Sequence, residues 1–237
     1  MSKQVMRFRE FMQQTTSLDL LAPQYLRQRT RDSGGGLGLG GERLSAFLHE
    51  LSTAQRQKLV EQLRQCYPQL ESLSTQSLRS GWKQLTVQER FGDRRLRTEA
   101  RQVNDGMLRL MAILAELLTD TQFLLFDEIE NGINPELVEF LLDTLIRAPQ
   151  QILVTTHSPM ILNYLEDDVA RAGVQYIYKT PEGATRSVPF FSIPSLARKL
   201  EVMGPGEAFA DTELSRLHEE IAEMPAADQD TGRAVPR

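Results

Sequence analysis

The sequence is poor in cysteine and in long apolar runs. Its 237 residues include one cysteine, Cys66, so an internal disulfide framework is excluded and a reducing compartment is expected. No apolar stretch approaches the ~20 residues that cross a bilayer. The first residues carry charges without the apolar centre of a signal peptide. We therefore expect a cytoplasmic protein with no membrane partner.

The sequence also lacks an excess of positive charge. Its formal net charge is −5, which gives no global electrostatic reason to bind nucleic acid. One locally basic stretch departs from this balance, and we interpret it as a solvated face. That stretch contains Arg90, Arg94, Arg95, Arg97 and Arg101.

A lysine-containing phosphate-binding loop is missing as well. No Gly-x-x-x-x-Gly-Lys-Ser/Thr stretch occurs in the sequence. The glycine-rich residues 34–41 lack the lysine and the hydroxyl group that contact phosphates and Mg²⁺ in such loops. We interpret these glycines as a flexible joint between two parts of the chain.

Hydrophobic residues are plentiful, at 41% of the chain, which is enough to bury a core. Composition and spacing divide the chain into four parts. Residues 1–41 form a polar N-terminal segment that ends in the joint, and residues 42–103 form a helical and hairpin subdomain. Residues 104–225 form a C-terminal lobe of alternating helices and strands. Residues 226–237 lack apolar spacing and are predicted to be disordered.

Polar side chains follow two short apolar runs that fit buried strands. Asp127 and Glu128 close the run at 123–126, and the run at 152–154 leads into His157. The order helix, strand, helix, strand predicts a parallel α/β sheet, whose carboxyl edge is where ligands bind. Carboxylates suit Mg²⁺ and an attacking water, and an imidazole can donate a hydrogen bond to a phosphate. Phosphoryl transfer to water is therefore the first hypothesis.

Four consecutive motifs resemble those of the ABC-type ATPases, and among them the stand-alone AAA-labelled ATPases related to RecF, Rad50 and the OLD proteins. Residues 123–128 resemble a Walker B strand, and residues 130–135 resemble the D-loop that follows it. Residues 155–159 are similar to the switch-histidine loop, and residues 103–109 resemble the signature motif. The resemblance covers roughly residues 35–225.

The resemblance implies a role for each polar residue at the two strand ends. Asp127 would hold Mg²⁺ through its water shell. Glu128 would polarise the attacking water, and His157 would sense the γ-phosphate of ATP. Asn131 and Gly132, in the D-loop, would contact the nucleotide.

The signature segment would reach a nucleotide bound by the opposite subunit of a dimer. Asn104, Asp105 and Gly106 are the residues that the resemblance assigns to this contact. A glycine admits the phosphates closely, and a helix N-terminus attracts them. Relatives usually carry serine at position 104, where an asparagine can still cap the helix.

The resemblance implies the fold class and the function together. It indicates the C-terminal lobe of a P-loop NTPase of ABC type, with a mostly parallel sheet flanked by helices and a helical and hairpin insertion that carries the signature motif. It implies an ATP-hydrolysing, nucleotide-sandwich dimer in DNA repair or phage defence. The absence of the loop would mean that this chain is truncated, split or degenerate. In a split protein, a partner polypeptide would supply the Walker A loop.

Two other functions remain open at this point. One is a non-catalytic interaction module that keeps the dimerising face without binding ATP. The other is a metal-dependent nuclease that uses Asp127, Glu128, Glu130 and His157, whose oxygen and nitrogen donors bind Mg²⁺ or Mn²⁺. DNA or an effector nuclease is a further expected partner of the ATPase. The isolated chain is expected to be inactive.

Overall fold

The computed structural model describes residues 3–20 and 22–224, and the predicted disordered tail at 226–237 lies outside them. The chain divides into two compact units, which meet in sequence between Thr156 and His157. Within the described residues, no helix is long and apolar enough to cross a membrane.

The first unit contains six helices and six strands among its described residues. In chain order these are α1 (Lys3–Gln13), β1 (Thr15–Leu18), α2 (Pro23–Leu26), α3 (Leu44–Glu50), α4 (Thr53–Cys66), β2 (Leu70–Ser77), β3 (Lys83–Phe91), β4 (Arg94–Glu99), α5 (Asp105–Glu116), β5 (Phe123–Phe126), α6 (Pro135–Ile146) and β6 (Gln151–Val154).

A parallel sheet with the order β1-β5-β6 forms the base of the first unit. The central strand β5 pairs with both neighbours, so that Phe126 lies opposite Leu18 on one side and Val154 on the other. Leu18, Leu124 and Phe126 are almost fully buried. All three strands therefore end at the same edge of the sheet, which confirms the predicted parallel α/β arrangement.

Local sequence signals account for the helices around this sheet. Ser52 and Gln55 form a capping box at the start of α4, and Asn134 caps α6 with Pro135 in its first turn. Helix α5 buries ten of its twelve residues, so it is an interior helix, as its uniformly apolar sequence predicts.

An antiparallel sheet, β2-β3-β4, lies between β1 and β5 in the chain. A turn at Phe91-Gly92-Asp93 joins β3 to β4, and Gly92 has a φ of +60° there. Leu73, Leu85 and Val87 are buried. The helices and hairpin that were predicted at 42–103 thus interrupt the parallel sheet as an insertion, directly before the signature segment.

The structure differs from the sequence prediction at the N-terminal segment. Strand β1 belongs to the same sheet as β5, although residues 1–41 were assigned to a separate segment. The glycine-rich residues are also built into the first unit, because Leu37 is fully buried and the Asp19 amide donates a hydrogen bond to the Leu39 carbonyl at 2.8 Å. The predicted division at residue 41 therefore does not coincide with the boundary between the compact units.

The second unit is described by itself. Its elements are α7 (Pro159–Leu162), α8 (Asp167–Gly173), β7 (Gln175–Lys179), β8 (Thr185–Pro189), α9 (Pro194–Lys199), α10 (Pro205–Ala210) and α11 (Leu214–Glu223). Strands β7 and β8 form an antiparallel hairpin. Its core includes Val188, Phe190, Leu196 and Leu217.

Candidate nucleotide and magnesium site

Asp127 and Glu128 lie directly after β5, where the sequence predicts them. Thr155 follows β6 and links the two strand ends, because its amide donates to the Phe126 carbonyl at 2.9 Å. The Thr155 hydroxyl donates a hydrogen bond to Asp127 Oδ1 and accepts one from the Glu128 amide at 3.0 Å. The acidic pair is thus fixed by the neighbouring strand as well as by its own.

Glu128 has an unusual backbone conformation. Its φ is +46°, in the left-handed region that residues other than glycine rarely adopt and that costs about 1–3 kcal/mol. Its carboxylate Oε2 accepts a hydrogen bond from Asn131 Nδ2 at 3.0 Å, and the Asn131 amide donates to the Glu128 carbonyl at 2.9 Å. The tight turn after β5 therefore holds the glutamate carboxylate in a defined place.

Glu130 is anchored to the end of β6. Its Oε1 accepts a hydrogen bond from the Thr156 hydroxyl at 2.6 Å. This contact fits a role for Glu130 in holding the loop after β5 to the end of β6. Within residues 3–20 and 22–224, no three or more histidine, cysteine, aspartate or glutamate side chains are grouped to hold a metal ion.

The signature segment opens α5 as predicted. Asn104 is the N-cap residue, and its Oδ1 accepts a hydrogen bond from the Met107 amide at 2.8 Å. Asp105 forms an ion pair with Arg27. A Cβ atom on Gly106 would lie 3.2 Å from the carbonyl oxygen of Gly132, so the small residue at 106 permits the close approach of these two backbones.

Arg109, on α5, joins the signature segment to the turn after β5. It is 6% exposed, and its Nη1 donates a hydrogen bond to the Asn131 carbonyl. Burial lowers the pKa of Arg109, whereas the nearby carboxylates of Asp105 and Asp19 act in the opposite direction. A buried guanidinium requires such partners, so this contact fixes the distance between α5 and the turn.

Two cavities adjoin these residues. The smaller, of about 10 Å³, is lined by Asp127, Glu128, Asn131 and Arg109 among others, and it is too small for a nucleotide. The larger, of about 380 Å³, is lined by the following eight residues: Cys66, Tyr67, Asn104, Gly106, Gly132, Asn134, Glu136 and Leu137. Burial raises the pKa of Tyr67 to about 12 and that of Cys66 to about 11, so both groups are neutral at pH 7.

The structure brings most of the predicted site residues into one region of the first unit. Asn104, Gly106 and Gly132 line the larger cavity, whereas Asn131 lines the smaller one together with the acidic pair. His157 is exposed and is the first residue of the second unit. Its predicted contact with a γ-phosphate stays a prediction, as do the nucleotide contacts of Asn131 and Gly132.

Sequence reasoning missed two residues that organise the site. No role was assigned to Thr155, although a hydroxyl directly after a parallel strand can reach the end of the adjacent strand. Arg109 was also missed. The available signal was a single charge inside an otherwise apolar helical stretch, where a buried charge needs a specific partner.

Comparisons with solved structures give only distant similarities. The Smc head domain with a coiled coil and joint from Pyrococcus yayanosii aligns with a TM-score of 0.43 and 17% identity, over 57% of this chain and 26% of that chain. A structure from work on ATP-driven dimerization and DNA stimulated activation of SMC ATPases aligns with a TM-score of 0.42 and 15% identity, over 68% of this chain and 93% of the other. The chain thus spans about a quarter of the Pyrococcus chain.

A search of the curated proteins finds no match. A protein family does match, and it covers residues 11–163. The match includes the signature segment, the acidic pair and His157. Since it spans more than half of the sequence, the chain belongs to the family described as AAA domain, putative AbiEii toxin, Type IV TA system.

Proposed function

We propose that this chain forms part of a Mg²⁺-dependent ATPase that works as a nucleotide-sandwich dimer. One observation carries the proposal: the acidic pair after β5 is held by the Thr155 hydroxyl at the carboxyl edge of a parallel sheet. Ligands bind at this edge in open α/β sheets. Carboxylates at this edge can bind the Mg²⁺ that carries a terminal phosphate, and they can position the water that attacks it.

The donor set at Asp127 fits Mg²⁺. The Asp127 carboxylate is exposed and shares one oxygen with the Thr155 hydroxyl, so hard oxygen donors face solvent. Mg²⁺ prefers such donors and keeps several of its waters. A bound Mg²⁺ supplies electrostatic stabilisation of the phosphoryl group during transfer. Because the smaller cavity beside the acidic pair cannot hold a nucleotide, the phosphates would lie on the solvent side of this cavity.

Glu128 is the proposed orienter of the attacking water. The Asn131 side chain donates a hydrogen bond to Oε2 of Glu128, which fixes the orientation of the carboxylate that would accept a proton from water. The strained backbone at this residue supports a functional role, because strain of this kind is concentrated at functional sites. His157 would donate a hydrogen bond to the γ-phosphate.

The signature segment is proposed to act on the nucleotide of the opposite subunit. Asn104 caps α5, and the positive end of the helix dipole favours phosphate. Gly106 would let the phosphates approach its backbone. The cavity of about 380 Å³ beside Asn104 and Gly106 lies within the range of small-molecule sites, which supports this assignment.

The lysine-containing phosphate loop would come from another polypeptide segment. ATP hydrolysis therefore requires that partner. The conformational change that hydrolysis drives would act on DNA or on an effector nuclease. A role in DNA repair or phage defence, and a cytoplasmic location, belong to the same proposal.

The test measures ATP binding and hydrolysis by the purified chain, alone and mixed with the product of the adjoining upstream reading frame. We expect hydrolysis only in the mixture. Glu128→Gln should lower turnover at least 100-fold while ATP-dependent dimerisation persists, because a positioned base contributes about 10²–10⁴-fold.

Unchanged turnover in Glu128→Gln would remove this residue from the proposed role. Absence of hydrolysis in both settings would contradict the ATPase and favour the non-catalytic interaction module. Metal-dependent DNA cleavage without ATP, lost in Asp127→Ala, would favour the nuclease instead.

A further inference from the structure

The first unit carries a strongly basic surface in a chain whose net charge is −5. Residues 27–31 and 90–101 together hold eight arginines and two carboxylates. We name these two segments the arginine edge. Its arginines are Arg27, Arg29, Arg31, Arg90, Arg94, Arg95, Arg97 and Arg101.

The fold joins the two segments, which are about 60 residues apart in sequence, into one surface. The Lys83 amide donates a hydrogen bond to the Thr30 carbonyl at 2.7 Å, so residues 27–31 run beside β3 where β4 has ended. Arg29 forms an ion pair with Glu99 of β4 at 3.1 Å. The concentration of arginine is therefore a property of the folded surface and not only of the local sequence.

Internal ion pairs neutralise only part of this charge. Glu71 contacts both Arg90 and Arg95, so one carboxylate serves two guanidinium groups. Hydrogen bonds from Gln88 and Arg90 lower the pKa of Glu71 to about 2, and this carboxylate is therefore fully charged at pH 7. The arginine edge therefore keeps a net positive charge.

Two further arginines of β4 keep their whole charge available. Arg94 and Arg97 are exposed, and neither has an ion-pair partner within the described part of the chain. They are the first and last of four consecutive exposed positions, 94–97, on the edge strand β4, which pairs with β3 on one side, and they leave this edge from opposite faces of the sheet. Their guanidinium groups can therefore reach a large ligand from solvent.

The sheet face beside the arginine edge is polar throughout. Residues that lie opposite one another in the register share this face, which points away from the buried Leu73, Leu85 and Val87. Gln84 and Thr86 of the central strand are covered, whereas the arginines of this face near the turn at Gly92 are exposed. The ten residues of the face are Ser72, Ser74, Gln76, Gln84, Thr86, Gln88, Arg90, Arg95, Arg97 and Glu99.

We infer that the arginine edge binds the phosphodiester backbone of a nucleic acid without reading its base sequence. Guanidinium groups bind phosphate through two hydrogen bonds, and serine and glutamine side chains make the same kind of contact. The polar face itself contains no aromatic side chain. Phe91, opposite Arg94, and Trp82, beside Arg31, are exposed nearby, but stacking on an aromatic ring accepts any base and so would not read the sequence. The ligand is thus recognised through its charge. This binding does not depend on nucleotide hydrolysis.

The experiment titrates the full chain into a fluorescently labelled 24-nucleotide single strand and into a duplex of the same length, over a series of salt concentrations. We expect salt-dependent binding with a dissociation constant of ~10⁻⁶–10⁻⁴ M near physiological salt. Arg94→Gln with Arg97→Gln should weaken binding at least tenfold. For the single strand it should also reduce the salt slope by about 1.4, since two phosphate contacts are lost.

A matched control keeps the change in net charge the same. Arg147→Gln with Arg216→Gln removes two exposed arginines outside the arginine edge, each from a surface ion pair. This control should change the affinity less than twofold. Thermal unfolding of both double variants establishes that they are folded.

Binding of either nucleic-acid form with this pattern supports the inference. Equal weakening by the two double variants would overturn it, because the effect would then come from net charge alone. Absence of binding by the unmodified chain would overturn it too. If polyglutamate of equal length displaces the labelled strand as efficiently as unlabelled oligonucleotide does, the surface binds an acidic protein instead. A tenfold difference in affinity between two oligonucleotide sequences would contradict backbone recognition.

Discussion

The two sheets of the first unit use their residues in opposite ways. The parallel sheet has strands of four residues each, whereas the antiparallel sheet has strands of eight, nine and six residues. The central short strand, β5, buries Leu124 and Phe126, whereas β6 at the edge leaves Leu153 49% exposed. Both strands deliver polar residues beyond their ends, at Asp127 and Thr155. The long strands alternate, so that one face is buried and the other faces solvent. One sheet therefore builds a site at its edge, and the other builds a surface.

Burial of single leucines distinguishes the central strand of the parallel sheet from the edge strand of the antiparallel sheet. Leu124, in the central parallel strand, is fully buried, whereas Leu96, in the edge strand β4, is 52% exposed. The same side chain thus contributes to the core in the central strand β5 and mainly to the surface in the edge strand β4. A substitution at each position tests whether these two strands contribute to stability as their burial indicates.

The largest effect is expected for Leu124→Ala. Loss of this buried side chain should lower the free energy of unfolding by about 2–5 kcal/mol, because it leaves a cavity in the sheet. Leu96→Ala is the matched control and should change it by about 0.5 kcal/mol or less. Urea unfolding of both variants makes the comparison. Equal destabilisation would mean that β4 is more deeply buried, for example by self-association.

An intermediate effect is expected at the edge of the parallel sheet. Thr155→Val keeps the shape of the side chain but removes the hydroxyl that contacts Asp127 and the Glu128 amide. The free energy of unfolding should fall by about 1 kcal/mol. Thr155→Ser keeps the hydroxyl and should retain most of that stability. If serine and valine destabilise the protein equally, the methyl group of Thr155 and not its hydroxyl is responsible.

The smallest effect concerns Glu71, on the antiparallel sheet. Its pKa is about 2 in the folded protein instead of the ordinary 4.5, so the carboxylate stabilises the fold above pH 4.5 and loses this contribution as the pH falls toward 2. Glu71→Gln should therefore be less stable than the unmodified protein at pH 6, with a difference that shrinks between pH 4.5 and 2. Thermal unfolding across this range measures the difference.

High salt provides the check on this last prediction. Because Glu71 faces exposed guanidinium groups, 1 M salt should reduce the difference at pH 6 through screening. A difference that is independent of both pH and salt would come from the altered hydrogen bonds of the amide, and it would contradict the electrostatic contribution of the carboxylate.

The sequence predicts the elements whose local signals and tertiary contacts agree. Strands β5 and β6 are short apolar runs, α5 is apolar all round, and Asn104 and Asn134 are typical N-cap residues. The acidic pair could be placed at a strand end for the same reason. In each case a few neighbouring residues carry the information.

Elements that depend on distant partners could not be predicted in this way. Strand β1 has the sequence Thr-Thr-Ser-Leu, which gives little apolar signal, and it becomes a strand because it pairs with β5 more than 100 residues later. The burial of Leu37 among glycines has a similar origin. Likewise, the contact between Arg109 and the Asn131 carbonyl joins residues 22 positions apart that no local pattern connects.

The residue-by-residue pairing of Phe126 with Val154 limits how this protein can change during evolution. One residue inserted within β6 would turn every later side chain of the strand to the opposite face, and Thr155 would then point away from the acidic pair. The same insertion at the β7–β8 turn would meet open space around Gly183 and alter little. Lengthening is therefore tolerated in the hairpin of the second unit, whereas the two short parallel strands must keep their number of residues.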